Sequence, residues 1–369
     1  MNYFTISIFL VFVVSFLISL MIVIYFVSFS PKFIIRDDTK AIQAAHATPV
    51  ARIGGLSIMM ALVFAIINFS EIPLGGSNYS LMLISAFPVF IVGLCEDLGY
   101  FSSPRIRLLA AVFSGIVFVS LFELWLPGTD IPGLDFLIQW SPIGIGFSLF
   151  LAAGVNHAFN LIDGLNGLAG FTSIGVALSL AVISHQVELY EHRDALIILI
   201  SAVSGFLLFN FPFGKIFLGD GGAYLIGHIL VWIAISILYA TPSITPLAML
   251  LIFFFPVMDT LLAIARRVYL GTPISHPDRL HFHQLILCGV ENLAMGRKWR
   301  QIINPLAAII TLPFALVPMI IGVLFAFDRI QAAIACFCFL IIFVMAYLII
   351  MWLTHRLQRF TKFKETQRL

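Results

Sequence analysis

Between residues 156 and 167 the chain sets Asn156, His157, Asn160, Asp163 and Asn166 among Gly164 and Gly167, with strongly apolar sequence on either side. Polar side chains beside a bilayer are costly unless they are buried in protein or line a wet cavity, so such a cluster marks a site. The same residue types also make an ordinary Asn/Asp/Gly turn between two helices. Taken alone, the stretch fits both.

Five further constellations carry chemistry. Glu96 and Asp97 are adjacent carboxylates that repel and therefore want a cation or a proton between them, and magnesium, with its preference for oxygen ligands and phosphate, would satisfy them. Arg105 and Arg107 follow closely and are suited to phosphate oxygens. Asp220 stands among Gly219, Gly221 and Gly222 just before an apolar run, as an N-cap or a metal ligand, with glycines that allow a ligand close to the backbone. Lys215 adds a cation five residues upstream. Asp259 lies inside an apolar run seven residues before Arg266, where structural pairing with a basic residue is as good an explanation as catalysis. Arg279, His281 and His283 suggest an anion-binding edge rather than a zinc site, since no Cys or third close His completes one. The first polar loop carries Arg36, Asp37, Asp38, Lys40, His46 and Arg52 before Gly54 and Gly55.

The elements that must position these groups are membrane helices. A hydrophobic fraction of 61% with 10% charged residues, and a mean hydropathy of +1.08, exclude a soluble globular protein. Apolar runs predict about eleven spans, near 4–27, 53–70, 80–95, 106–125, 142–157, 168–186, 195–212, 222–240, 243–265, 302–325 and 330–353. The expected fold is thus an all-α polytopic integral membrane protein, with residues 1–369 forming one domain. Cys95, Cys288, Cys336 and Cys338 sit in or near apolar runs without metal spacing, which suggests reduced thiols. With eleven spans, alternate loops sort the basic residues: one side receives almost all of them and the other only Arg193 and Arg329. The positive-inside rule then places the N-terminus outside and the C-terminus in the cytoplasm. Every polar constellation outside the spans falls on the cytoplasmic side.

Together these blocks resemble the polyprenyl-phosphate N-acetylhexosamine-1-phosphate transferases, glycosyltransferase family 4, of the type that initiates O-antigen synthesis. The resemblance runs from His46 to His283 with the blocks in family order. It implies transfer of N-acetylhexosamine-1-phosphate from a UDP-sugar to polyprenyl (undecaprenyl) phosphate, giving a diphosphate-linked sugar and UMP. Phosphoryl transfer is mostly positioning and charge neutralisation, which suits carboxylate-bound magnesium and basic clamps. Carried over by position, Asp220 is the main Mg²⁺ ligand (Mn²⁺ also fits) with Asn160 as a second. Glu96 and Asp97 stand where the family has an acidic pair, Asp97 nearest the chemistry, and Asp220, Asp97 and Glu96 form the catalytic set. Asp163 and Asn166 match the segment near the nucleoside. Lys40, Arg105, Arg107, Lys215, Arg279, His281 and His283 match or flank phosphate and sugar contacts. The implied location is the bacterial inner membrane, the implied partners are the two substrates and no nucleic acid, and related enzymes are often homodimers.

Three departures stand out. Glu96 replaces an Asp, Asn166 replaces the second Asp of the common bacterial pattern, and Gln284 replaces a further His. They bear on sugar identity (GlcNAc, GalNAc, QuiNAc or FucNAc) and point to surface-polysaccharide lipid intermediates rather than peptidoglycan. The rival explanation of intramembrane charge is a transporter with an interfacial anionic-substrate site, which usually shows an internal repeat. None is visible. A scaffolding protein would leave the carboxylates without a task.

Overall fold

The computed structural model describes residues 3–29, 50–68, 77–100, 103–272, 280–295 and 299–366, and among these it is helical, with no strand. The helices are α1 (Tyr3–Phe29), α2 (Gly54–Asn68), α3 (Ser77–Asp97), α4 (Pro104–Phe122), the short α5 (Leu134–Ile138), α6 (Ser141–Ile162) and α7 (Leu168–Gln186). They continue with α8 (Tyr190–Asn210), α9 (Gly219–Ala240), α10 (Pro246–Ile252), α11 (Phe254–Tyr269), α12 (Phe282–Val290), α13 (Arg300–Leu324) and α14 (Arg329–Thr366). Among the described residues, nine helices are long and apolar enough to cross a membrane, so the chain is a polytopic membrane protein in architecture.

Helix α9 is the central element, buried along almost its whole length and packed against α2, α3, α4, α6 and α7. Its first turn is built for close approach. A Cβ on Gly55 of α2 would lie 2.3 Å from the backbone of Gly222, and one on Gly93 of α3 would lie 2.5 Å from the amide nitrogen of Gly221. The glycines around Asp220 therefore admit two neighbouring helices, where the sequence suggested a ligand. Buried hydroxyls tie the other helices. Ser15 of α1 donates to the carbonyl of Ala202 in α8 at 2.6 Å, and Ser19 of α1 donates to Ser57 of α2 at 2.9 Å. Pro88 inside α3 disturbs the local ladder, and the next amide, Val89, donates to Ser114 of α4 at 3.0 Å.

Three spans differ from expectation. The second is only the 15-residue α2, about 22 Å long at helical rise. The fifth extends to Ile162, so Asn156 and Asn160 lie in the last turns of α6 and only residues 163–167 form the turn to α7. The ninth is broken into α10 and α11, which meet at 83°. Pro256 supplies the reason: it lacks an amide hydrogen and its ring collides with the carbonyl four residues back, at Ile252, where α10 ends.

Candidate active site

At the N-terminal end of α9 the chain ends of α3, α4 and α6 and the segment before α2 converge. The first amides of a helix have no partners within it, and their positive field favours anions. Here acidic side chains from other helices fill that need. Asp97, at the end of α3, accepts the amide of Asp220 on one oxygen and that of Gly221 on the other, both at 2.9 Å. Asp163, just past α6, accepts the amide of Gly219 at 3.2 Å. Gly219 has φ +78°, and a Cβ there would sit 1.9 Å from the carbonyl of Arg52 and 2.6 Å from Asp97, so no other residue fits.

A backbone strap completes the knot. Phe217 donates to the carbonyl of Ala51, and the amides of Gly54 and Gly55 donate to the carbonyls of Phe217 and Leu218, each at 2.8 Å. The first amides of α2 are thus satisfied by the segment leading into α9, and Arg52 is carried to the mouth of the site.

Around the Asp220 side chain the contacts are polar and partly buried. Asn160 donates its amide to Oδ1 at 2.8 Å. Arg52 Nη2 lies 3.6 Å from Oδ1 and Arg107 Nη1 3.5 Å from Oδ2. Arg107 also lies with Nε 3.3 Å from Oε2 of buried Glu96. One turn along α9, the Tyr224 hydroxyl is 3.4 Å from Nδ1 of His157. Burial pushes the Asp163 carboxyl up to about 7 against the opposing pull of Arg52 and the Gly219 amide.

The structure therefore brings Glu96, Asp97, Asn160, Asp163, Asp220 and Arg107 together. Of the other expected residues that are described, none joins the contacts around Asp220. Arg105 is exposed at the start of α4, and Lys215 is exposed with its ammonium 5.8 Å from the Phe213 ring. Asn166, expected at the nucleoside, donates its side-chain amide to the carbonyl of Pro212 at 2.9 Å, and its backbone amide donates to Asn304 at 2.7 Å, so it braces the turn before α9. His281 and His283 are buried at the start of α12, beside Asp259. The Asp259 carboxylate thus pairs with imidazoles; Arg266 instead donates to the carbonyl of Leu280 at 3.0 Å. Burial lowers the His283 imidazole below its usual range, with Asp259 pulling the other way. Lys40 and Arg279 lie outside the described residues.

Three residues of the site had no role assigned from sequence: Arg52, His157 and Tyr224. Tyr224 was within reach, since i and i+4 positions share a helix face and Asp220 is four residues before it. In the sequence Arg52 belongs to the first polar loop, whose mixed charges suit a phosphate-facing entry or simply set topology, with no role of its own. Its place depends on the pairing of residues 51–55 with 216–218, which no local pattern announces.

The donor set suits a hard divalent cation. Four carboxyls gather at this helix end: Glu96 and Asp220 face guanidiniums, whereas Asp97 and Asp163 hold backbone amides of α9. Among the described residues no three acidic, His or Cys side chains form a ready metal cluster. Magnesium is commonly held by one or two carboxylates plus substrate phosphate and needs no such cluster. Asp220 and the oxygen of the Asn160 amide are the ligands at hand.

Residues 79–238, from α3 to α9, match the family model for glycosyl transferase family 4. The chain is similar to the probable undecaprenyl-phosphate N-acetylglucosaminyl 1-phosphate transferase of Bacillus subtilis, 26% identical over 74% of this chain and 77% of that protein. It is 29% identical, over 66% of each chain, to the decaprenyl-phosphate N-acetylglucosaminephosphotransferase of Mycobacterium tuberculosis. The undecaprenyl-phosphate alpha-N-acetylglucosaminyl 1-phosphate transferase of Escherichia coli K12 is 27% identical over 68% of each.

Proposed function

We propose that this chain, a member of glycosyl transferase family 4 through residues 79–238, transfers N-acetylhexosamine-1-phosphate from a UDP-sugar to polyprenyl phosphate. The relatives' names make N-acetylglucosamine the first sugar to test. A phosphate oxygen of the lipid attacks the β-phosphorus of the donor. The bond from that phosphorus to the bridging oxygen breaks, UMP leaves with the electron pair, and a diphosphate joins lipid and sugar. No base is required of the protein, because a phosphate monoester is largely dianionic near neutral pH.

What the protein contributes is charge and position. Arg52 and Arg107, at 3.6 and 3.5 Å from Asp220, are placed to move onto phosphate oxygens. Glu96 steadies Arg107 from the opposite side. Asp97 and Asp163 fix the first turn of α9, so Asp220 stands on a rigid support. Magnesium held by Asp220 and Asn160, or manganese in its place, would neutralise the diphosphate as charge shifts to the leaving UMP. His281 and His283 lie on the α12 side, where the sugar nucleotide would reach.

We further propose one integral domain with eleven crossings, counting α2 and the bent α10–α11 pair with the nine long helices. The N-terminus is outside and the acid cluster opens to the cytoplasm of a bacterial inner membrane, where a lipid phosphate and a soluble nucleotide sugar can meet. The product would start a surface polysaccharide such as O-antigen. Acids gathered at one helix end, with relatives named as transferases, do not favour a transporter.

The convergence of three further carboxyls and two guanidiniums around Asp220 is the observation that carries this function. Purified protein given undecaprenyl phosphate, Mg²⁺ and a panel of UDP-N-acetyl sugars should release UMP and form the lipid-linked sugar, read by mass spectrometry. No UMP from any of them would overturn it.

A further inference from the structure

Tyr224 follows Asp220 by one turn of α9, is 0% exposed, and no step above uses it. A buried phenol oxygen needs hydrogen-bond partners, whereas a phenylalanine would fill the same space without them. Two groups meet this hydroxyl. Nδ1 of His157, in the last turns of α6, is 3.4 Å away, and the two rings stand edge to face with centroids 5.3 Å apart. The guanidinium of Arg107, from α4, is the other side-chain partner. One hydroxyl thus joins three helices beside the acid cluster.

The order of the protons follows from the groups themselves. A guanidinium has donors only, so the Tyr224 oxygen accepts from Arg107. The hydroxyl proton is then given to His157, whose Nδ1 receives it as a bare lone pair while the ring proton sits on Nε2. An Nδ1–H would leave the hydroxyl proton with no acceptor among these three groups.

Arg107 has two further holds: Nε lies 3.3 Å from Oε2 of Glu96 and Nη1 lies 3.5 Å from Oδ2 of Asp220. The Asp220 contact is the one that a phosphate would replace. A long side chain released from one partner regains rotamer freedom unless the others keep it in place. We propose that Tyr224, backed by His157, is a positioning residue for Arg107, holding the guanidinium aimed at the site while it exchanges Asp220 for phosphate. The proposal rests on the transferase function above and deepens it.

Tyr224→Phe tests it in the full-length protein, because it keeps the ring and removes only the oxygen. The kcat of UMP release should fall about tenfold, the value of one hydrogen bond to a charged group. Both KM values should stay within about twofold, since Arg107 is paired with Asp220 at rest and gains most as charge moves to the leaving group. In an Arg107→Lys background the same substitution should cost less than about twofold, because lysine has a single nitrogen and no second arm for the hydroxyl to hold. An unchanged kcat, or an equal loss in both backgrounds as expected of simple packing, overturns the proposal. His157→Leu should match Tyr224→Phe, and His157→Asn, whose carbonyl oxygen can accept the hydroxyl proton, should recover most of that loss. Equal losses in the two His157 variants overturn it too.

A second measurement needs neither a Tyr224 variant nor turnover. In wild-type protein labelled with ¹⁵N-histidine, the ring resonances that vanish in His157→Asn should report a bare Nδ1 with the proton on Nε2. A proton on Nδ1 overturns the proposal even if the enzyme is active. Absence of UMP release in the wild type counts against the transferase function, and the tautomer still decides this inference.

Discussion

The carboxylate of Asp97 receives the backbone amide of Asp220 at 2.9 Å, so one acid caps the helix that carries the other. The acidic residues of the site are therefore not equivalent. Asp97 works on the backbone of α9, whereas the Asp220 side chain faces the two guanidiniums.

Asp97→Ala should lower the thermal midpoint of the purified protein more than Asp220→Asn does. Loss of a helix cap costs about 0.5–2 kcal/mol, and the Gly221 amide loses its acceptor as well. Melting followed by size-exclusion chromatography in detergent gives the comparison; equal midpoints would remove the capping role.

Asp220→Asn should keep the fold and lose turnover by on the order of 10²-fold or more, since it deletes charge that the transition state needs. Chelation of wild type with EDTA should abolish UMP release, with Mg²⁺ restoring it fully. Activity that survives both treatments would take Asp220 out of the metal role.

Gly222→Ala should destabilise by about 1–3 kcal/mol or prevent folding, because a Cβ there would lie 2.7 Å from the backbone of Gly55. Gly146→Ala, where nothing lies within 4 Å, is the control and should melt like wild type. Similar midpoints for the two variants would argue against direct backbone packing of α2 on α9.

Asp163→Asn should change how stability depends on pH. Burial raises the carboxyl to about 7 from an ordinary value of 3.8, so above about pH 4 the unfolded chain releases a proton that the folded one keeps. Wild type should therefore lose stability relative to Asp163→Asn as pH rises from about 4 through about 7. A difference between the two that stays constant over this window would mean that the carboxyl titrates normally.

Much of the site could be read before any coordinates, because hydropathy locates helix ends and polar residues at those ends stand out. Glu96, Asp97, Asn160, Asp163 and Asp220 come together as their positions on one side of the bundle imply. What stayed hidden depends on contacts between distant segments. The glycines flanking Asp220 look alike in sequence whether they admit a phosphate or a neighbouring helix. Arg52 looks like any loop arginine until residues 51–55 pair with 216–218. Asn166 has the right neighbours for a nucleoside contact, yet its amide is taken by Pro212. The break at Phe253 was signalled by Pro256, but an apolar window averages over one proline.

The strap between residues 51–55 and 216–218 also has a consequence for biogenesis. On the ribosome, α2 emerges more than 160 residues before the carbonyls that receive the amides of Gly54 and Gly55. Asp97 and Asp163 are likewise made before the helix they cap. A nascent chain halted after α8 would hold every acid of the site except Asp220 and still lack the helix that gathers them. This centre can therefore be completed only after α9 has been made.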